Sequence, residues 1–151
     1  MRAVIQRVKH ASVKIDGEIH GKIDTGFLVL LGVAHEDDEK DAELLAAKIS
    51  KLRIFEDENE KMNLALGDVG GELLVISNFT LYADYHHGNR PNFLLSASPE
   101  HANKLYEYFV QKAKELIPVV ETGIFGADMK VELLNDGPVT IVMDSEVLKK
   151  K

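Results

Sequence analysis

Two stretches of the chain carry residue types that could do chemistry. Ser77-Asn78-Phe79-Thr80-Leu81 sets two hydroxyls and a carboxamide where the apolar run Leu73-Leu74-Val75-Ile76 ends. Polar groups at the end of a buried strand often mark a site, since function is carried by loops on a rigid scaffold. The same side chains also satisfy backbone groups where a strand stops. Both readings stand on these residues alone. The second stretch is Asn135-Asp136-Gly137-Pro138, between two apolar segments. A trans turn is its ordinary reading, because only about 5–6% of X–Pro bonds in folded proteins are cis. A cis bond there would send successive carbonyl oxygens to one side, a rigid acceptor pair needing no side chain.

Other chemistries find little support. There is no P-loop, no Gly-rich dinucleotide fingerprint and no His-Glu-x-x-His motif. Of the histidines, His10, His20, His35, His86, His87 and His101, only His86 and His87 are adjacent. Neighbouring side chains on a loop rarely chelate one metal, so no metal is expected. A Ser-His-Asp triad has no nucleophile-elbow sequence to support it, which disfavours a small esterase built on Ser77. Cysteine is absent, which excludes disulfides, a thiol nucleophile and thiolate metal sites. That suits a reducing cytosol, so a cytoplasmic protein is expected. The first residues lack the apolar stretch and small-residue site of a signal peptide, and the longest apolar run, Phe27–Leu31, is far below membrane-span length.

These residues need a scaffold. Residues 2–9 and 11–15 are rich in Val and Ile and read as strands, and Asp16-Gly17 turns them into a third over 18–23. The continuous apolar run Phe27–Val33 reads as a strand buried on both faces. Asp37 or Asp38 caps a helix to about Leu52, and Ser98-Pro99 opens another to about Ile117, where Pro118 ends it. Residues 56–71 and 82–97 read as irregular. Strands follow over 119–122, 129–134 and 139–143, with Asn135–Pro138 turning between the last two. The expectation is α+β: a largely antiparallel, barrel-like sheet with two main helices, one domain over residues 1–147 and a frayed tail over 148–151.

The chain has 151 residues and a formal net charge of −7, a size that buries a real core without staples. An acidic balance argues at first sight against a nucleic-acid partner. The charge is segregated, however: residues 36–72 hold 12 acids and 5 bases, which accounts for the whole imbalance. Both chemistry-bearing stretches lie outside that segment, which is expected to face away from any RNA.

Four blocks together are specific. Met1-Arg2-Ala3-Val4-Ile5-Gln6-Arg7-Val8, Ser77 to Ala83, Gly88-Asn89-Arg90-Pro91-Asn92-Phe93, and Phe125 to Leu133 leading into Asn135-Asp136-Gly137-Pro138-Val139-Thr140 resemble the D-aminoacyl-tRNA deacylase family over essentially the whole chain. The resemblance implies a homodimer that hydrolyses the ester joining a D-amino acid to the 3′-terminal adenosine of tRNA, and also removes glycine from mischarged tRNA. It implies no cofactor. Ser77, Asn78, Phe79 and Thr80 would line the pocket, with Met129 on the substrate side. Gly137-Pro138 would be cis and enter the partner subunit's pocket, with Arg7 holding the turn. Arg90 is the best candidate for a tRNA contact. Two departures stand out: Asn78 replaces the usual Gln, and the loop Asp84–Pro91 is less basic than is common.

An activated ester needs only water attack and stabilisation of the developing oxyanion. Backbone N–H groups of Phe79 and Thr80 could supply the latter. A covalent role for Thr80 needs an adjacent base, and none sits at a suggestive spacing. A rigid Gly-Pro wall would reject an L substituent sterically while glycine slips through. The remaining rival is a dimeric binding module that keeps the scaffold without catalysis.

Overall fold

The structure, a computed structural model, describes residues 1–150. Its organising element is β1 (Arg2–Ile15), long enough to serve several partners. Residues 11–15 pair antiparallel with β2 (Glu18–Ile23), and residues 2–8 pair antiparallel with β3 (Gly26–Gly32). Asp16 and Gly17 both have positive φ, +52° and +81°, as the tight turn between β1 and β2 demands. The sequence divides β1 in two; the structure keeps it whole, because its other edge is paired along nearly its whole length.

Helix α1 (Glu39–Lys51) starts as expected, with Asp38 accepting from Lys40 N–H and Asp41 reaching back to Asp38 N–H. Residues 56–71 are more ordered than a loop. β4 (Phe55–Glu56) and β5 (Met62–Leu64) form a small hairpin, followed by the short α2 (Leu66–Val69). Asp57 shapes that hairpin's tip by accepting from Asn59 and Lys61 N–H, bonds that hold its carboxyl below the usual range.

Next come β6 (Glu72–Ser77), a 3-10 turn over Phe79–Tyr82, α3 (Pro99–Leu116) and β7 (Val120–Thr122). β3–β6 and β6–β7 are parallel, each joined through a helix, so the sheet is mixed, with its antiparallel pairings all on β1. Its order is β2-β1-β3-β6-β7, and β2 curls back toward β7: His20 Nδ1 meets Thr122 O at 2.9 Å. This is the barrel-like α+β arrangement expected.

β8 (Lys130–Asp144) corrects the sequence reading. Residues 129–134 and 139–143 are not a hairpin around Asn135–Pro138. Both halves pair antiparallel with β1, Leu134 opposite His10 and Val142 opposite Val4, so the chain keeps its direction and the polar residues bulge out of the ladder. The tail is also corrected. Ser145–Lys149 form α4, with Leu148 packed on the core and Lys149 ion-paired to Asp41 at 2.8 Å; Lys151 lies outside the described residues.

Side chains of β3 and β6 alternate between two apolar clusters. Phe27, Val29, Leu31, Leu73 and Val75 face α1 and α3; Leu28, Leu74 and Ile76 face the interior of the curl with Val8, Ala11, Val13 and Ile23. Burial on both faces explains why β3 is apolar throughout.

Candidate active site

A cavity of about 630 Å³ opens beyond the carboxyl ends of the parallel strands β3 and β6, where ligands of such sheets bind. β3 supplies Leu30 and Leu31, and β6 supplies Ile76 and Ser77. The chain then turns through Asn78 and Phe79, so all three lie on the wall, whereas Thr80, expected there too, is not a lining residue because the 3-10 turn carries it past the cavity. Met129 and the backbone-rich segment Phe125-Gly126-Ala127 close the opposite side. Phe79 and Phe93 meet edge to face at 5.0 Å between ring centres on the rim. From below, Tyr106 of α3 donates to Val75 O at 2.8 Å, and burial pushes its hydroxyl up to about 12, so it stays a neutral donor.

Among the described residues, no Asp, Glu, His, Lys or Arg lines this cavity. Three histidine rings are engaged elsewhere with backbone carbonyls: His20 with Thr122, His35 with Leu94 and His101 with Asp37. His86 and His87 pack against each other, 4.4 Å between ring centres, on the loop after β6. The wall's polar atoms are therefore hydroxyls, a carboxamide and backbone groups. Residues 36–72, which carry the excess acid, contribute nothing to it.

The turn at Ser77–Tyr82 is locally built. Asn78 caps the 3-10 helix: its Oδ1 accepts from Thr80 N–H at 3.2 Å and from the Thr80 hydroxyl at 2.5 Å. Arg2 of β1 ties down the far end, donating to Leu81 O at 2.8 Å with its guanidinium over the Tyr82 ring. Asn78 is thus spent on the turn itself, and Thr80 points its proton at a carboxamide, which is no base. The first N–H groups of a helix lack intrahelical partners; that of Thr80 is held by Asn78.

Gly137, Pro138 and Arg7 do not line this cavity. They form a second cluster, where β8 bulges from β1. The Gly137–Pro138 peptide is cis, and Gly137 has φ +148°. Arg7, buried to 5% exposure, donates from Nε to Asp136 O at 2.9 Å and from Nη1 to Ile54 O at 2.7 Å, and its guanidinium lies within 4.0 Å of the Glu56 and Asp136 carboxylates. Arg90 sits on an exposed loop closed at its base by the Asp84–Asn92 bridge. Residue-by-residue reading did not single out Phe93 and Phe125, which stand beside other apolar residues and carry no local signal of a site.

With this geometry in hand, the D-Tyr-tRNA(Tyr) deacylase family model matches residues 4–144. The chain belongs to that family. Deacylase relatives named D-aminoacyl-tRNA deacylase include those of Caldicellulosiruptor saccharolyticus, 57% identical with 97% of this chain and 98% of the relative covered, and Thermus aquaticus, 58% identical with 96% and 95% covered. Among solved structures, one called c-Myc DNA Unwinding Element Binding Protein superposes with TM-score 0.90 at 40% identity, covering 95% of this chain and 98% of that one. Another, described as a probable eukaryotic D-amino acid tRNA deacylase, gives TM-score 0.82 at 13% identity over 95% and 98%, and shares the deacylase fold.

Proposed function

We propose that the protein is a D-aminoacyl-tRNA deacylase whose cavity holds the aminoacylated 3′ end, and that a second copy of the chain supplies the Gly137–Pro138 turn that reads chirality. The observation carrying this reading is a cavity beside the Ser77–Thr80 turn without a single ionisable side chain. Such a wall suits a substrate that is already an activated ester, and it offers nothing to a protease-like triad. Water adds to the ester carbonyl; the carbon–oxygen bond to the ribose 3′ oxygen breaks. Of the water's two protons, one passes to the 3′ oxygen with the adjacent 2′-hydroxyl assisting and the other to solvent, and the amino acid leaves as its carboxylate. Phe79 N–H stabilises the oxyanion, joined by Thr80 N–H when the Asn78 carboxamide turns away.

Chirality is read by the turn. Gly137 and Pro138 lie outside their own chain's cavity, and exposed Leu134 and Val142 on the same strand give β8 an apolar surface for a second copy. Inserted into the partner's cavity, the two carbonyls receive the α-amino group and fill the space that an L side chain would need. Glycyl-tRNA passes because glycine has nothing to block. Met129 contacts the substrate. Among the described residues no helix is long and apolar enough to cross a membrane.

The test is release of amino acid from D-Tyr-, L-Tyr- and Gly-tRNA, with a chelator arm. Rapid release from the D and glycyl substrates, sparing of the L, and indifference to the chelator are expected. Thr80→Ala should keep a rate within about tenfold of wild type, since it loses one hydroxyl contact and no nucleophile. An inert Thr80→Ala protein of intact fold makes Thr80 covalent instead. Equal release from D and L substrates would indicate a generic esterase. No release would favour a nucleic-acid-binding module, the reading that the name of one structural relative suggests. Arg90→Ala should raise KM with kcat unchanged and lower the salt slope by about one phosphate contact.

A further inference from the structure

The β1–β8 ladder has a gap with a built interior. Val8 is opposite Asn135 and Gln6 is opposite Thr140, so Arg7 alone faces the four residues Asp136–Val139. Those four residues lose their ladder partners, and side chains replace them. Arg7 Nε holds the first carbonyl, that of Asp136, at 2.9 Å. The other side is closed by Asn135: its Oδ1 accepts from Val139 N–H at 2.8 Å, and its Nδ2 faces Val139 O at 3.3 Å and Thr140 Oγ1 at 3.0 Å. Gln6 Oε1 accepts from the same Nδ2 at 3.2 Å. Every oxygen around that nitrogen is an acceptor and the group opposite Oδ1 is a donor, so the carboxamide has one workable orientation.

We infer that Asn135, oriented by Gln6, is the positioning residue that presents the Gly137 and Pro138 carbonyls and so sets the preference for D over L substrates. None of the hydrogen-bond partners of Asn135 lines the cavity; it acts through the turn. Its neighbour Asp136 is only partly buried and carries its carboxylate toward Arg7 and Lys9, at 3.8 and 3.5 Å, so it does not compete for Val139 N–H. Between them, Arg7 and Asn135 pin both ends of a four-residue segment, leaving exposed Gly137 and Pro138 as its outward edge. The inference rests on the proposed reading that this edge meets the substrate.

Asn135→Ala removes the whole clasp, Asn135→Asp keeps only the acceptor for Val139 N–H, and Gln6→Ala removes only the orienting partner. Amide hydrogen exchange followed by NMR reads the turn directly, and kcat/KM on D-Tyr- and L-Tyr-tRNA reads its use. In Asn135→Ala, Val139 N–H should exchange about tenfold faster or more, with Leu74 and Val75 unchanged, and the D-over-L ratio should fall about tenfold. Asn135→Asp should preserve Val139 protection and still lose part of the ratio. Gln6→Ala should give a smaller loss in the same direction, and it carries the test if the Asn135 variants do not fold. A D-over-L ratio within about twofold of wild type in a folded variant with a loosened Val139 overturns the inference. Unchanged Val139 exchange in Asn135→Ala does so as well. Wild-type protein that treats D and L substrates alike overturns the functional reading, and this inference with it.

Discussion

Alanine at position 137 is expected to lower kcat/KM for D-Tyr-tRNA about a hundredfold or more while leaving the fold standing. Gly137 has φ +148°, where L residues with a Cβ are rarely found, so the substitution is strained before any contact is considered. The new Cβ would then stand 2.7 Å from both Val139 N and Val139 Cγ2, and 3.4 Å from Arg7 Nη2. A side chain can yield, but the Val139 nitrogen is main chain and is held by Asn135. The turn itself must move. A displacement of even about 1 Å at a group that orients substrate is costly, because the reacting geometry is set by position rather than by chemistry of the side chain. Gly67→Ala is the matched control, since a Cβ there meets nothing within 4 Å. Deacylation kinetics and a thermal melt on both variants decide the matter: a Gly137→Ala enzyme at wild-type rate removes the turn from the site.

The second large effect concerns stability. Asp41 is fully buried at the start of α1 and ties together both ends of the chain. It accepts from the Ser145 hydroxyl at 2.6 Å, the Lys149 ammonium at 2.8 Å and Asp38 N–H at 2.9 Å. The Met1 ammonium lies beside it, bonded to Asp37 at 2.7 Å and Ser145 at 2.8 Å. Burial alone would push the Asp41 carboxyl up; the bonds from Lys149, Ser145 and Asp38, with the nearby ammonium, hold it well below the usual carboxylate range. Lys149 is correspondingly held above the usual lysine range by its bond to Asp41.

Asp41→Ala should cost about 3 kcal/mol, because it leaves the buried Ser145 hydroxyl and Asp38 N–H without their acceptor and Lys149 with Glu146 alone. For a chain this long that is a loss of roughly 6–12 °C in Tm. The sign of the pH dependence follows. A carboxyl depressed in the folded state contributes in full above its unfolded value, near 4, and its contribution fades as pH falls through the lower folded value. The gap between wild type and Asp41→Ala, measured by denaturant titration, should therefore be flat around neutrality and shrink only in strong acid. Lys149, raised in the folded state, acts at the other end, its share being lost only at strongly alkaline pH. A gap that narrows between pH 5 and 8 would contradict this arrangement.

Much of this could be read from residues whose local chemistry admits one answer. The helix start at Asp37 or Asp38, which the structure places at Asp38, the Ser98 cap, the Asp16-Gly17 turn and the doubly buried β3 were legible because propensity, capping and hydrophobic period agree there. Ser77–Leu81 stood out because polar residues follow an apolar strand, and Ser77, Asn78 and Phe79 do lie on the cavity wall. What failed was tertiary. An Asn-Asp-Gly-Pro sequence reads as a reversal, and nothing local says that both flanks pair with the same distant strand. The helical tail could not be seen either: its Lys-rich end looks frayed until the Asp41 carboxylate is placed beneath it. Asn78 shows the same limit at the site, since its role as a cap depends on the 3-10 turn that follows. The four blocks carry the family, and the structure has the cis Gly137–Pro138 peptide and the Arg7 contact that the resemblance implied; the β1–β8 ladder around them was not legible.

The pairing of β1 with β8 also has a bearing on how the chain is made. The strand nearest the start of the sequence is completed by the one nearest its end, with Ala3 opposite Met143 and Val13 opposite Val131. During synthesis β1 can zip with β2 and β3 early, but its other edge stays open until nearly all residues have left the ribosome. Contacts of such long sequence separation slow folding. They also leave an apolar strand edge exposed in the nascent protein, a state prone to wrong pairing. Arg7 waits in that open edge without the Asp136 carbonyl it will bind, so the Gly137–Pro138 turn is among the last parts of the molecule to take shape.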